Sequence, residues 1–247
     1  MEEKRQAIVL KSVDFQENDK LLWLYTLEEG RITAIAKGVK KAGAKLKYAS
    51  QPFCFGEFML TNSKGRNILT GCSQVESFYE LRSNINCYYA GCIMLDTVST
   101  LVQENQPNSP LFLSLLKHLQ QLLSGDIDND TLIIKFLLTF LQLEGYGLSF
   151  DKCNICQNTS FTKLYLDYSA GGVVCVNCRS NSATVLAPIT QSTLDIIQKM
   201  DLDHISRVKI KQEYLTASLV ALNEYFTYSL VKIKSLVQYV QILQSAR

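Results

Sequence analysis

KLLWLYTLEEGRITAIAK, residues 20–37, is the stretch that decides the reading of the fold. Two runs rich in Leu, Ile, Trp and Tyr flank Glu29-Gly30, and neither opens with a helix-start signal. Apolar runs of this kind joined by a glycine turn read as two strands of a hairpin, at 20–28 and 31–37. The spans 5–13, 51–61 and 67–77 have the same character, and Lys64-Gly65-Arg66 supplies the turn between the last two. Five short strands in succession suggest a small closed barrel, because closure removes exposed edges. An OB-type barrel is the natural candidate, although strand count alone does not separate it from an SH3-like one.

Six of the twelve glycines fall within residues 30–71 and none follows Gly172, so turn-rich β structure gives way to helix along the chain. From about residue 84 the apolar period becomes helical, at Ile85, Tyr88, Cys92, Leu95 and Val102. Ser109-Pro110 reads as an N-cap followed by proline at N1, opening a helix over Leu111 to Leu123. Asp128 to Asp130 starts a third helix, with Ile133, Phe136, Leu137 and Phe140 on one face and Gly145 and Gly147 at its end. After Pro188 the chain is helical again. Leu215, Leu219, Leu222 and Phe226 make one stripe, and Ile233, Leu236, Val237, Val240 and Leu243 another.

The AVILMFWYC set makes up 47% of the chain and charged residues 19%, which excludes a disordered chain. The net charge of +2 hides an asymmetry: residues 1–30 carry −3, residues 31–66 carry +7 and residues 67–247 carry −2. The charged start, Met1-Glu2-Glu3-Lys4-Arg5, and the short run Ala7 to Leu10 do not make a signal peptide. The longest apolar run, Leu132 to Leu143, is interrupted by Lys135, Thr139 and Gln142 and falls short of the ~18 residues a membrane span needs. A soluble, cytoplasmic protein without a membrane partner is expected, with its thiols kept reduced.

Within residues 150–182, Cys153-Asn154-Ile155-Cys156 and Cys175-Val176-Asn177-Cys178 are two C-x2-C pairs separated by eighteen residues. That is the spacing of a four-cysteine zinc site. Two residues between cysteines let one turn present both sulfurs, and two such knuckles complete a tetrahedron. The insert 157–174, including Phe161 to Tyr168, can form a hairpin that brings the knuckles together. One structural Zn2+ per chain is expected on Cys153, Cys156, Cys175 and Cys178, whose four sulfurs leave no open coordination position. A redox pair and metal-free cysteine pairs are the competing readings. Cys54, Cys72, Cys87 and Cys92 show no such pairing and read as small buried hydrophobes.

Arg31, Lys37, Lys40, Lys41, Lys45, Lys47, Lys64 and Arg66 supply the +7. Five of them lie between Lys37 and Lys47, in a segment expected to be a mobile loop on the barrel. Flexible lysines on a rigid barrel suit a phosphate backbone, because each replaces condensed counterions without fixed geometry. Tyr48, Phe53 and Phe55 are nearby aromatics that can stack on bases, the latter two reading more readily as core. An ordinary solvated loop is the alternative. No catalytic constellation accompanies this patch. His118 and His204 have no metal-spaced partner, the phosphate-loop, dinucleotide and nucleophile-elbow motifs are missing, and Asp126, Asp128 and Asp130 lack the rest of a calcium loop. An enzyme is not expected.

The order of these features resembles the bacterial RecO family. Glu17-Asn18-Asp19-Lys20, Thr26, Gly30 and Ala36-Lys37-Gly38-Val39-Lys40-Lys41 look like the family's first three strands and basic loop. Phe136 to Gly147, ending Gly145-Tyr146-Gly147, is similar to the helix leading into its metal motif. Cys153-x-x-Cys156 and Gly171-Gly172-Val173-Val174-Cys175-x-x-Cys178 match the metal region. One departure is Ile134, where many members carry an arginine two residues before the phenylalanine. The resemblance implies an α+β multidomain protein: an OB-fold barrel over 1–80, then an all-α domain over 81–247 with a zinc-knuckle insert at 150–182. It also implies a cytoplasmic, nucleoid-associated, non-enzymatic recombination mediator. Such a protein binds single- and double-stranded DNA, anneals strands, binds the C-terminal tail of single-stranded DNA-binding protein and acts with RecR to load RecA. Arg207, Lys209 and Lys211 are candidate flanking charges for an acidic tail, and an exposed helix face explains them equally well. Two rivals stand beside this reading: a zinc-ribbon and OB RNA-binding module without annealing activity, and a pure protein-interaction scaffold.

Overall fold

In the computed structural model, which describes residues 2–160 and 162–245, five strands close into a barrel. They are β1 (Glu2–Phe15), β2 (Asp19–Thr26), β3 (Gly30–Ala36), β4 (Phe55–Ser63) and β5 (Arg66–Glu76), in the order β1-β2-β3-β5-β4. The second half of β1 pairs with β2 and its first half with β4, both antiparallel, and an irregularity between Val9 and Lys11 bends the strand between its partners. The ring closes through a parallel contact of β3 with β5, at Ala34–Asn67 and Ile35–Ile68. This order with its parallel closure is the OB arrangement and settles the choice against an SH3-like barrel.

Alternation sends Leu22, Leu24, Ile32, Ala34, Ala36, Phe58, Leu60 and Leu69 into the barrel, where Val39 and Ala49 join them. The opposite face of β1 is also buried at Ile8 and Leu10, and helix α1 (Ile85–Leu101) packs on this strand. Phe53 lies against α1, 5.6 Å from the Tyr88 ring. A Cβ on Gly91 would come within 2.7 Å of the Phe53 ring, so the glycine sets how closely the helix approaches. Helix α2 (Ser109–Ser124) brings Phe112 within 5.7 Å of Tyr25 and 6.2 Å of Phe55. Phe53 is thus buried and Phe55 half-buried, both on the helix side. Gly30 carries φ +72° and a Cβ there would meet the Gln106 carbonyl at 2.1 Å, so the hairpin turn accepts only glycine.

Several expectations are corrected in detail. β1 begins at Glu2 rather than residue 5, and β4 at Phe55 rather than residue 51. The earlier residues of that run bend through Pro52 and a left-handed Phe53, φ 74°. The predicted α1 stripe holds in part: Leu95 and Val102 are buried and Tyr88 and Cys92 half-buried, but Ile85 is 63% exposed, and Ala90, Gly91, Met94 and Val98 also face inward. Residues 37–54 are not a free loop but a run of hydrogen-bonded turns. Lys41 N–H donates to the Gly38 carbonyl, Ala44 to Lys41, Lys47 to Ala44 and Ser50 to Lys47.

By compactness the chain divides into Met1–Leu123 and Ser124–Arg247, so the barrel unit includes α1 and nearly all of α2. The second unit contains α3 (Asn129–Leu143), three short strands β6 (Leu164–Asp167), β7 (Gly172–Cys175) and β8 (Thr184–Leu186), and helices α4 (Pro188–Lys199), α5 (Gln212–Ser229) and α6 (Lys234–Ser245). The strands form one antiparallel sheet in the order β7-β6-β8. The β6–β7 pair is the expected hairpin, shorter than predicted; Phe161 lies outside the described residues. β8 was not foreseen, since three residues carry no readable period.

Asp128 caps α3, its carboxylate accepting from Thr131 N–H at 3.0 Å. Phe136, Leu137 and Phe140 are buried as expected, and so are Leu132, Ile134, Leu138 and Leu141, leaving α3 apolar nearly all round. Ile134 is fully buried, so the departure from arginine puts a hydrophobe into the core of this unit. Lys135 escapes that core by donating Nζ to the Gln198 and Met200 carbonyls, at 2.9 and 2.6 Å, where it caps the C-terminal end of α4. Asp130 is buried and accepts from Tyr239 Oη at 2.6 Å and from Gln212 Nε2, so one carboxylate ties α3 to α6 and α5. Burial pushes its carboxyl upward and the two donors oppose that shift. Asp130→Ala removes the acceptor that both donors share and is expected to cost about 1–3 kcal/mol. Urea unfolding followed by far-UV circular dichroism measures this, with Asp130→Asn, which keeps one acceptor oxygen, costing less.

Candidate nucleic-acid interface and metal centre

The β1–β2 turn, the end of β3 and the β4–β5 turn meet at one end of the barrel. Lys37, Lys64 and Arg66 converge there on a cleft of about 360 Å3 whose floor includes Phe15, Ile35 and Ile68. An adjoining hollow of about 430 Å3 shares Lys37 and adds Lys41. All four basic side chains are exposed. The acid in this cleft, Asp19, is engaged: its Oδ1 accepts the Gly38 N–H at 2.8 Å and anchors the start of the basic segment. Lys40 N–H donates to the Asn18 carbonyl at 3.0 Å, tying the same two loops together. Cationic side chains around an apolar floor at the mouth of an OB barrel suit a chain of phosphates with bases turned inward.

The other expected basic residues are placed differently. Lys40 Nζ pairs with Asp14 at 2.8 Å. Lys45 and Lys47 are exposed on the turns between β3 and β4, with Leu46 packed against the barrel core beneath them. Arg31 stands apart at the other end of β3 from Lys37, about 20 Å away at the rise of an extended strand. Its Nε donates to the Val102 carbonyl at 2.8 Å and its guanidinium faces Glu104 at 3.6 Å, a role in holding the chain after α1. Tyr48 is exposed, with its hydroxyl donating to the Cys72 carbonyl at 2.6 Å. The aromatic in the cleft itself is Phe15, which the sequence reading passed over; its signal was an aromatic immediately before the Glu17-Asn18-Asp19 turn. Arg207, Lys209 and Lys211 are exposed on the segment before α5, Arg207 at the end of a single 3-10 turn and Lys211 standing 5.8 Å from the centre of the Tyr214 ring.

The four knuckle cysteines come together as expected, their Sγ atoms all within 4.8 Å of one another. Cys156 and Cys175 sulfurs are 3.8 Å apart, and a tetrahedral zinc with Zn–S of ~2.3 Å has sulfur–sulfur edges of about 3.8 Å. Burial opposes ionisation of Cys153, yet the N–H groups of Cys156, Cys175 and Ile155 bring its thiol down to about 6. Cys178 is pushed up to about 12, first by its hydrogen bond with Cys175 and then by that with Cys156. Four adjacent thiols cannot all ionise against one another's charge, and a divalent cation removes that conflict. The donor set can therefore hold a metal ion.

Two polar residues outside the ligand set shape this centre. Asn154, between the first two cysteines, donates Nδ2 to the Ala170 and Gly171 carbonyls at 2.7 and 3.0 Å. A Cβ on Gly172 would lie 2.6 Å from the Ser149 carbonyl oxygen and 2.9 Å from Asn154 Nδ2, so the knuckle and the β6–β7 turn touch only because glycine stands there. Asp167 is buried, but backbone and hydroxyl donors of Ser169, Ala170 and Ser180 outweigh that burial and hold its carboxyl at about 2. It thereby joins the hairpin turn to the chain that follows the second knuckle. Asn154→Ala or Asp167→Ala is expected to weaken metal binding roughly 10- to 100-fold with all four cysteines intact, measured by chelator competition.

Comparison with known proteins covers both units. A family described as Recombination protein O N terminal matches residues 1–78, and one described as Recombination protein O C terminal matches residues 82–236. The DNA repair protein RecO of Pelotomaculum thermopropionicum is 32% identical over 230 residues, 92% of this chain and 89% of the relative. That of Clostridium novyi is 30% identical over 210 residues, 85% and 82% of the two chains. That of Clostridium acetobutylicum is 26% identical over 241 residues, 98% of each.

Proposed function

This chain belongs to the RecO family of DNA repair proteins, and from that premise we propose that it is a non-enzymatic recombination mediator that binds single- and double-stranded DNA and anneals complementary strands. The observation that carries this reading is the convergence of Lys37, Lys64 and Arg66 on the Phe15 cleft at the mouth of the OB barrel, with Lys41 in the hollow beside it. Lys40, Lys45 and Lys47 extend the positive surface along the turns that follow β3. Phosphates replace solvent counterions along these side chains while a base stacks on Phe15, a mode that tolerates any sequence. Annealing needs strands held by their backbones with the base edges free, and a cleft of flexible cations meets that requirement.

The resemblance supplies the partners in this proposal: RecR, the C-terminal tail of single-stranded DNA-binding protein, and RecA as the protein loaded. Residues 1–80 act as the DNA-binding domain and 81–247 as the helical domain that meets proteins, with the 150–182 insert held by one structural zinc. The protein works at the nucleoid; no helix among the described residues is long and apolar enough to cross a membrane. The test is binding and annealing of single-stranded DNA across a salt series. Removing the four cleft cations, in Lys37/Lys41/Lys64/Arg66→Ala, is expected to reduce the slope of log affinity against log salt by about 3 and to abolish annealing. An unchanged slope removes the cleft from the mechanism, and a preference for RNA without annealing replaces the function.

A further inference from the structure

The C-terminal unit has a cleft of the opposite electrostatic character. It lies between the cysteine-bearing sheet and the end of α5 and encloses about 670 Å3, a size suited to a small ligand or a side chain. Tyr168, Ser182 and Thr184 line it from one side and Glu224, Tyr228 and Ser229 from the other, with no lysine or arginine in the lining. The Tyr168 and Tyr228 rings have centroids 5.5 Å apart, and Tyr228 is 72% exposed, so an aromatic face is presented to solvent. The Tyr168 hydroxyl donates to Glu224 Oε2 at 3.1 Å and lies 3.1 Å from Thr184 Oγ1, which fixes the carboxylate and one ring together. Glu224 makes no ion pair among the described residues.

Two further features place negative potential at this rim. Helix α5 ends at Ser229 with no basic residue in its last turn, so the partial negative charge of its C-terminus is not offset from within the helix. Ser229 itself lines the cleft, its hydroxyl buried without a hydrogen-bond partner. Carboxylate, aromatic faces, hydroxyl oxygens and a helix C-terminus together describe a receptor for a planar cation rich in N–H groups. We propose that this cleft binds an arginine side chain presented by a basic peptide segment of a protein partner. The guanidinium lies against Tyr228 and donates to Glu224. A nucleic acid fits poorly, because its phosphates would meet Glu224 and the helix C-terminus with no cation between them.

The experiment uses the full-length, metal-loaded chain with isotope-labelled tyrosines and follows the Tyr168 and Tyr228 ring signals by NMR. The probes are N-acetyl-arginine amide, its neutral isostere N-acetyl-citrulline amide, and guanosine monophosphate. The arginine probe is expected to shift both rings saturably, and the citrulline probe to bind roughly tenfold more weakly. Glu224→Gln keeps an acceptor for the Tyr168 hydroxyl, and Tyr228→Ala alters an exposed ring. Each is expected to weaken the arginine probe about fivefold or more, with metal content and circular dichroism unchanged. No saturable shift, equal binding of the citrulline probe, unaltered affinity in the two variants, or stronger binding of guanosine monophosphate each overturns the proposal. Loss of DNA annealing in the barrel variant leaves this test untouched, so the two readings fail separately.

Discussion

Everything at the basic end of this molecule depends on a contact two residue pairs long. β3 and β5 run parallel and meet only at Ala34–Asn67 and Ile35–Ile68, with Asn67 Nδ2 donating to the Thr33 carbonyl at 3.1 Å as reinforcement. Without that closure β3 and β5 would be edges, each with a row of unpaired backbone groups. With it, the β4–β5 turn is carried to the end of β3. Lys64 and Arg66 are distant from Lys37 along the chain, and the closure makes them walls of one cleft. The charge is written in the sequence, but the parallel contact turns a count of lysines into a surface.

The cysteine-bearing insert solves a different problem. Its sheet has strands of four, four and three residues, too short to bury a core of its own. Cys153, Tyr165, Val174 and Cys175 form a small buried cluster, and a metal on the four sulfurs would contribute where apolar area cannot. Asn154 and Asp167 complete the arrangement by consuming the carbonyls and N–H groups that the two tight turns leave over. A metal bound to the four sulfurs would have these two residues as the support of its ligand-bearing turns.

These cases mark where sequence reading stops. The interior alternation of β2 and β3 was plain because one face is apolar, and the C-x2-C pairs were plain because their spacing is local. The start of β1 was invisible: Glu2 to Lys4 are polar on both faces and are held by pairing with β4 and by ion pairs such as Lys4 with Glu57. The inward face of α1 was legible only in part: Leu95 and Val102 are buried as read, but Ala90 and Gly91 are too small to register as a stripe, and Ile85 points outward. The basic segment read as loose from its glycines and lysines, but Val39, Leu46 and Ala49 pin it to the barrel core. Phe15 and Glu224 were passed over for one reason: each matters through neighbours brought by a distant segment.

The two clefts are lined by groups of opposite charge in a chain of net charge +2. The barrel cleft gathers Lys37, Lys64 and Arg66 around one acid, Asp19, whose carboxylate accepts a backbone N–H. The cleft beside the cysteine-bearing sheet does the reverse, leaving Glu224 without a cation and ending α5 without a basic residue. Specificity is a difference of affinities, and a site gains as much by repelling the wrong ligand as by attracting the right one. On the proposed readings, a polyanion is attracted at the first cleft and repelled at the second, and a cationic side chain the reverse. A near-neutral total is compatible with two such sites of opposite sign.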